Sequence, residues 1–298
     1  MAIGNKKSPM PIRIKPYISL IDKSFRESQT KNYTLSVQLS LYGLVFSVFS
    51  IEKNKFIGIE AYSFSKLENP AKITSQLDLI LNEKPWFAFP FKKVFFLYQN
   101  TYNTLIPSVL FEEEKKSLYL GFNQTFQENS RIVFDKLKNT LASNIYYLPN
   151  PIVEKVKEFW PNAQIKHFSS VLIEGLMRNF KNNTDPKILY VNLRENSFDI
   201  VNFKVNKLFY YNNFGYRTKE DFAYFLVSTI ENLNLNPEDI KIVLMGDINK
   251  GMNIYEMVHQ YIRNFSFIEK NNNFSYSYIF DDLKSHSYYT LFNSVQCE

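Results

Sequence analysis

The stretch that decides the fold is TLSVQLSLYGLVFSVFSIEKNKFIGIEAY, residues 34–62. It is rich in Val, Ile, Phe and Tyr, which favour the half-buried surface of a sheet. The first break in the apolar pattern is Tyr42-Gly43, and the second is three residues long. Connections that short join antiparallel neighbours. The stretch therefore predicts a three-strand antiparallel meander, with strands at 34–41, 44–51 and 55–62.

A helix and a buried strand follow this meander. Asn69 followed by Pro70 is typical of a helix start, because Asn accepts a free backbone N–H and proline suits the first helical position. The predicted apolar stripe of this helix is Ile73, Leu77, Ile80 and Leu81. Residues 93–98 then carry the near-continuous apolar run expected of a strand in the middle of a sheet.

The same order of elements returns later in the chain. Thr218 to Asp221 form a capping-box pattern that predicts the start of a helix, and a buried strand is predicted after it at 240–245. The order strand–strand–strand–helix–strand therefore occurs twice, which indicates a duplicated architecture. The strands of the second meander are predicted at 187–193, 198–205 and 207–212.

At 298 residues the chain exceeds the usual size of one domain, so we expect two. We place a flexible N-terminal lead at residues 1–16, the first domain at 17–184 and the second at 185–298. The polar stretch 181–186 marks the boundary. Residues 100–148 fit neither copy of the repeat and are predicted to be an insertion into the first domain.

The composition is that of a globular protein, with 45% hydrophobic and 21% charged residues. The single cysteine, Cys297, excludes a disulfide framework within the chain and favours a cytoplasmic location. The most apolar run, 39–51, is too short to span a membrane. A net charge of +6 raises nucleic acid as a partner, but no run of five basic residues supports it.

Three antiparallel strands, a helix and a parallel strand resemble the ribonuclease-H-like unit, and two such units resemble the actin-like ATPase superfamily. The chain also resembles an uncharacterised bacterial family, a domain of unknown function that is assigned this fold and no activity. The resemblance implies an α/β fold with two ribonuclease-H-like domains in an actin-like ATPase arrangement, over roughly residues 30–298. The segments that carry it are 35–40 (LSVQLS), 111–116 (FEEEKK), 190–192 (YVN), 209–212 (FYYN) and 278–283 (YIFDDL).

The superfamily resemblance implies phosphate contacts at both meander turns, where Asp-x-Gly patterns let backbone N–H groups approach the ligand. The first turn, SLYGLV at 40–45, keeps Gly43 but has no carboxylate before it. The second turn, NLRENS at 192–197, has no glycine, and its carboxylate is Glu195. The adenosine-side motif is closest at Gly246, one glycine of the usual pair.

These departures make Gly43, Glu195 and Gly246 candidate cofactor-side positions of the cleft, with the ligand unknown. The missing signature residues argue against an active ATPase, so we expect a pseudo-ATPase with no catalytic residue, no cofactor and no metal site. The three histidines have neither a second His nor a Cys at ligand spacing, which agrees with that expectation. Lys250 precedes Gly251 in the wrong order for a P-loop and is read as part of a strand-to-helix turn.

Three other patterns have an ordinary structural interpretation. His167 lies close in sequence to Ser169, but residues so close are not expected to meet as base and nucleophile, and Ser169 is predicted to cap a helix. Glu174 is expected on a solvated helix face. Alternating aromatic residues over 274–280 are able to stack on bases, yet no Lys or Arg is interleaved, so an edge strand is favoured.

Three functional hypotheses remain open. The first is a non-catalytic binding or scaffold module whose partner is a protein. The second is a divergent enzyme of the same fold for a nucleotide or another phosphorylated ligand, with Glu195 or Asp247 as the metal-side acid and Lys250 for charge. The third is a nucleic-acid-associated protein. A closed cleft favours the first, a solvent-filled cleft the second, and a contiguous basic face the third. The sequence predicts no oligomeric state.

Overall fold

The computed structural model of the protein describes residues 14–64, 69–180, 185–284 and 286–297. Its strands form three sheets. None of the helices in these ranges is long and apolar enough to cross a bilayer. Residues 1–13 of the predicted lead and residues 181–184 of the predicted boundary lie outside the described residues.

The first half of the chain contains a large sheet and the helices that cover it. In chain order its elements are β1 (Ile18–Ile21), β2 (Tyr33–Leu39), β3 (Gly43–Ser50), β4 (Lys55–Ser63), α1 (Pro70–Glu83), β5 (Lys93–Tyr98), β6 (Asn103–Pro107), α2 (Lys116–Gly121), β7 (Ser130–Leu137), β8 (Ala142–Pro149), α3 (Asn150–Phe159), β9 (Gln164–His167) and α4 (Phe168–Asn179).

The predicted meander is confirmed. β2 pairs antiparallel with β3, β3 pairs antiparallel with β4, and β5 lies parallel to β2 on the other side. Six of the seven strands of this sheet lie in the order β1-β4-β3-β2-β5-β9, and the seventh, a short strand from near the end of the chain, pairs with β4. Asn69 caps α1 by accepting a hydrogen bond from the Ala71 amide at 2.8 Å. The four predicted residues of the apolar stripe are the buried ones, Ile73, Leu77, Ile80 and Leu81.

The second half repeats this topology. Its elements are β10 (Ile188–Arg194), β11 (Ser197–Lys204), β12 (Lys207–Gly215), α5 (Lys219–Asn232), β13 (Lys241–Gly246), α6 (Asn253–Tyr261), β14 (Asn264–Phe267), β15 (Ser275–Tyr276) and α7 (Tyr289–Asn293).

The strand order of the second sheet is β12-β11-β10-β13-β14, which corresponds to β4-β3-β2-β5-β9 in the first. In both sheets the three strands of the meander are followed by two parallel strands in the same order. The predicted duplication is therefore confirmed, while the division into domains at residue 184 stays a prediction.

Between β5 and α3 the chain forms a separate antiparallel sheet in the order β6-β8-β7. Leu120 of α2 packs with Ile145 and Tyr147 of β8 on one face of this sheet. These elements occupy most of the segment that the sequence assigned to an insertion. Large apolar side chains remain exposed around α2, at Val109, Leu110, Leu118, Phe122 and Phe126.

Helix α4 fills the space between the two large sheets. Its Val171 packs on Phe95 and Leu97 of the first sheet, whereas Leu172 and Leu176 belong to the core beneath the second. The helix is buried along most of its length because both of its faces have a sheet to cover. Because α4 packs on both sheets, it fixes the position of one meander relative to the other.

The segment after β14 returns to the first half. β15 pairs parallel with β4, and Leu291 and Phe292 of α7 pack beside Phe56. The predicted edge strand over 274–280 is wrong beyond Ser275–Tyr276, since a short 3-10 turn follows at Tyr278–Phe280. At this turn the Ser277 hydroxyl donates a hydrogen bond to the buried carboxylate of Asp22.

Candidate ligand-binding cleft

The two meander turns and the end of β13 meet at one cavity between the halves. Its volume is about 510 Å³. Gly43, Glu195 and Gly246, which the sequence placed far apart in the chain, all line it. Lys250, considered above as a source of positive charge, is not among the residues that line this cavity.

The first turn satisfies its own backbone. The Ser40 hydroxyl accepts hydrogen bonds from the amides of Tyr42 and Gly43, each at 3.1 Å, and the Ser40 amide donates to the Gly43 carbonyl at 2.9 Å. Two amides that would approach a phosphate in a functional turn are therefore already bonded. Gly43 has a packing role, because a Cβ there would stand 2.3 Å from the Tyr62 carbonyl oxygen.

The second turn reaches across to the first. Glu195 and Asn196 form the two-residue connection between β10 and β11, and the Asn196 side-chain amide donates to the Tyr42 hydroxyl. The Tyr216 hydroxyl donates a hydrogen bond to the Arg194 carbonyl at 2.8 Å, just before the second turn. The tips of the two turns are thus joined by a hydrogen bond between their side chains.

Gly246 is required by the backbone. Its φ of +84° lies in the left-handed region, and a Cβ would stand 2.1 Å from the Leu193 carbonyl oxygen. The Gly246 amide donates to the His286 carbonyl at 3.0 Å and the Asp247 amide donates to the Leu193 carbonyl at 2.9 Å. The amides of this third turn are therefore also used within the protein.

The charges that line the cavity are mostly negative. Glu195 and Asp247 contribute carboxylates, and no lysine from the described ranges lines it. Burial in the cleft wall raises the pKa of Asp247, the nearby Glu195 carboxylate raises it further, and Arg194 acts in the opposite direction. The Asp247 side chain still reaches solvent through the cavity.

Arg194 is the one cation on the wall of the cavity within the described chain, and its charge is already paired. It is 6% exposed, and its Nη2 donates to Oδ1 of the fully buried Asp199 at 2.9 Å. Asn192 and Tyr211 donate to the same carboxylate at 3.0 and 3.1 Å. Sequence reasoning missed this pair. The available signal was an Arg and an Asp flanking a two-residue turn at cross-strand spacing.

Two buried polar atoms beside the cavity lack a hydrogen-bond partner in the described structure, the Nε of Arg194 and the Oγ1 of Thr290. Both residues line the cavity, and Thr290 is only 3% exposed. An unsatisfied buried donor or acceptor costs about 1–3 kcal/mol. Arg194 Nε thus lacks an acceptor, and Thr290 Oγ1 lacks any partner, next to the cavity.

Aromatic hydroxyl groups make up much of the remaining wall. Tyr17 and Tyr288, from the two ends of the described chain, place their hydroxyl oxygens 3.1 Å apart, and burial raises the pKa of both. The segment after β15 therefore completes the cavity as well as covering the first sheet. The tyrosines on the wall are Tyr17, Tyr42, Tyr62, Tyr216, Tyr288 and Tyr289.

His167 and Ser169 do meet, contrary to the sequence expectation, with His167 Nδ1 2.7 Å from Ser169 Oγ. The prediction that Ser169 caps α4 is also wrong. The cap is His167, whose Nδ1 accepts from the Ser169 amide at 3.2 Å. Both side chains are buried, and burial with a contribution from Arg194 lowers the pKa of His167 to about 3. Because both side chains are buried, a substrate does not reach them, and the pair has a structural role.

Two further predictions from the sequence concern carboxylates and metals. Glu174 lies on a partly exposed part of α4, where its carboxylate accepts a hydrogen bond from the Asn139 amide at 3.1 Å. Across the described ranges, no group of three or more His, Cys, Asp or Glu side chains is arranged to hold a metal ion.

The model of a family described as "Protein of unknown function (DUF3822)" matches residues 22–265. The chain belongs to that family. No protein of curated function matches it at a significant level.

Among solved structures, one that is similar is a protein of Bacteroides thetaiotaomicron VPI-5482 described as having an actin-like ATPase fold and unknown function. It is 23% identical, covers 82% of this chain and 93% of its own, and superposes with a TM-score of 0.73. The PilM-PilN type IV pilus biogenesis complex also contains a similar chain, with a TM-score of 0.58, 10% identity and coverage of 88% and 98%. These likenesses establish the actin-like ATPase fold and the ribonuclease-H-like topology of its halves.

Proposed function

We propose that this protein is a non-catalytic, ligand-binding member of the actin-like fold, a pseudo-ATPase whose cleft holds something other than a nucleoside triphosphate. The observation that carries the proposal is the state of the turn amides. Those of Tyr42 and Gly43 are bonded to Ser40, and the second turn is joined to the first through Asn196 and Tyr42. A triphosphate would lack the oriented N–H groups on which this fold depends.

The open cleft by itself favours the divergent-enzyme alternative over a cleft closed by side chains. A cavity of about 510 Å³ is of the size that small ligands occupy, so it supports ligand binding by an enzyme or by a non-catalytic binding module. The enzyme alternative has less support, because its source of positive charge, Lys250, does not line the cavity and the amides of the first turn are already bonded within the protein.

Titration calorimetry with MgATP, joined to an assay for released phosphate, tests the proposal. We expect no binding below millimolar concentration and no turnover. Micromolar binding accompanied by turnover would refute it. Glu195→Gln and Asp247→Asn serve as matched variants, since the enzyme alternative predicts that one of them abolishes an activity without unfolding the protein.

We propose further that a macromolecular partner is a protein and that the location is cytoplasmic. The exposed apolar side chains around α2, such as Leu118 and Phe122 one helical turn apart, support a protein partner. The PilM-PilN structure is a complex of a like-folded chain with a partner protein. The single cysteine, Cys297, supports a reducing compartment. A nucleic-acid partner remains the alternative, and absence of RNA or DNA binding at low salt would remove it.

A further inference from the structure

The charge on the cavity wall sets the first requirement for a ligand. Glu195 and Asp247 face the cavity, while the charge of Arg194 is neutralised by Asp199 behind it. The net field inside is therefore negative. An anionic ligand is repelled by this arrangement and a cation is attracted, more strongly than at an open surface because the walls exclude water.

The aromatic wall favours the same sign of charge. The faces of tyrosine rings attract ammonium and guanidinium groups. One such contact is already present within the protein, where the guanidinium carbon of Arg194 lies 5.8 Å from the centre of the Phe168 ring. Phe168 also lines the cavity, so the wall includes an aromatic ring that is in contact with a cation.

The two unpartnered atoms set a second, independent requirement. Arg194 Nε is a donor and needs an acceptor, and Thr290 Oγ1 is able to donate or accept. A bare inorganic cation supplies no acceptor to Arg194. A ligand that carries a carbonyl or amide group beside its positive charge has the acceptor that Arg194 Nε lacks.

We propose that the cleft binds an organic cation, an ammonium or guanidinium group attached to a ligand that also presents a hydrogen-bond acceptor. The carboxylates of Glu195 and Asp247 hold the positive group, the tyrosines surround its apolar stem, and Arg194 and Thr290 bind the polar remainder. This inference rests on the proposed function, since it names the ligand class of the same cleft. Both a free amine and a basic side chain of a peptide carry this chemistry.

Calorimetry or ligand-observed NMR with two matched probes tests the assignment. Nα-acetyl-arginine amide carries the charge and the acceptors, and Nα-acetyl-citrulline amide has nearly the same shape without the charge. We expect the arginine probe to bind at least ten-fold more tightly and to weaken as salt is added. Equal affinity for the two probes overturns the inference. Absence of binding of the arginine probe at about 10 mM also overturns it.

Two variants locate the site. Glu195→Gln and Asp247→Asn are each expected to weaken the arginine probe about five-fold or more, whereas Glu128→Gln, an exposed carboxylate away from the cavity, is expected to leave it unchanged. Thermal melting checks that each variant is folded. Unchanged affinity in both cleft variants places the cation elsewhere and overturns the assignment.

The source of the cation is decided by comparing spermidine with a short peptide containing one arginine. Tighter binding of the peptide is expected, since only the peptide brings carbonyl acceptors to Arg194. Tighter binding of spermidine contradicts the part of the inference that assigns Arg194 and Thr290. Failure of all cationic probes together with absence of ATP binding leaves the proposed function standing, whereas ATP binding with turnover removes both.

Discussion

The two meander turns occupy equivalent positions in a duplicated fold, yet they are built differently. The first is held by one hydroxyl, that of Ser40, which bonds the amides of Tyr42 and Gly43. The second is flanked by a buried ion pair, Arg194 with Asp199, and its Glu195 side chain lines the cleft. In the first turn the backbone N–H groups are bonded within the turn. In the second turn polar side chains stand at the tip.

The two turns therefore differ in how their backbone and side-chain polar groups are used. In the first turn the glycine remains, so sequence inspection alone finds a partial motif there. The structure shows that Gly43 is kept for its close approach to β4. In the second turn glycine is absent, and the side chains of Glu195 and Asn196 stand on the two-residue connection between β10 and β11.

The largest expected effect comes from breaking the second turn. Arg194→Met leaves the Asp199 carboxylate buried without its cation, and we expect a loss of about 3–5 kcal/mol in the free energy of unfolding by urea. Arg263→Met, which removes an exposed pair with Glu238, is the control and is expected to cost about 0–1 kcal/mol. A loss for Arg194→Met no larger than that of the control would show that the second turn does not depend on the pair.

A smaller loss is expected from Gly246→Ala, which forces a Cβ into contact with the Leu193 carbonyl at a positive φ. We expect about 2–3 kcal/mol in the same urea titration. The matched control is Gly121→Ala, where an added Cβ has no neighbour within 4 Å. Unchanged stability of Gly246→Ala would contradict this structural role. A variant that is less stable but binds a ligand with full affinity would agree with it.

Removing the hydroxyl of the first turn is expected to cost less. Ser40→Ala loses two hydrogen bonds to partly exposed amides, which predicts a loss of about 1 kcal/mol in thermal or urea unfolding. Ser130→Ala, whose hydroxyl makes one long and exposed bond to a carbonyl, is the comparison. A cost close to that of Arg194→Met would remove the contrast between the two turns.

The link between the turns is expected to be weaker still, because it lies at an exposed position. A double-mutant cycle of Tyr42→Phe and Asn196→Ala isolates it, and we expect a coupling energy of about 0.5–1 kcal/mol. Measured coupling of zero within error would mean that the two tips are adjacent without holding one another.

The smallest effect concerns Asp247 and depends on pH. The folded protein raises the pKa of this carboxyl above its usual 3.8, so its contribution to stability is greatest below pH 3.8 and is lost as pH rises through the raised value. Asp247→Asn is therefore expected to melt at a higher temperature than the native protein at pH 7. The difference should shrink toward pH 3, and a variant that is less stable at pH 7 would contradict the assignment.

Local chemistry made much of the fold predictable. The meanders, the Asn69 cap and the stripe of α1 follow from turn length, capping and periodicity, which act between near neighbours in the chain. The His167 cap did not, because His167 and Ser169 both offer a side chain at the start of α4 and only burial decides between them. The aromatic pattern over 274–280 predicted a longer strand than the structure forms, since the chain turns where Ser277 meets Asp22.

The site was less predictable than the fold. The sequence identified Gly43, Glu195 and Gly246 from the resemblance, and the structure places them on one cavity. It gave no sign that Tyr288 and Thr290, about a hundred residues after the second turn begins, would form the opposite wall. Contacts between residues so distant in sequence produce no local pattern from which they could be predicted. Nor does the sequence show that the Thr290 hydroxyl lacks a hydrogen-bond partner.

The return of the chain to the first sheet has a mechanical consequence. The polypeptide passes from the first half to the second after α4 and comes back after β14, where β15 pairs with β4 and α7 packs beside α4. Pulling the halves apart would require peeling β15 from its neighbour and extracting Leu291 and Phe292 from the core. We therefore expect the two halves to unfold together rather than one at a time, because separating them would expose these apolar side chains to water.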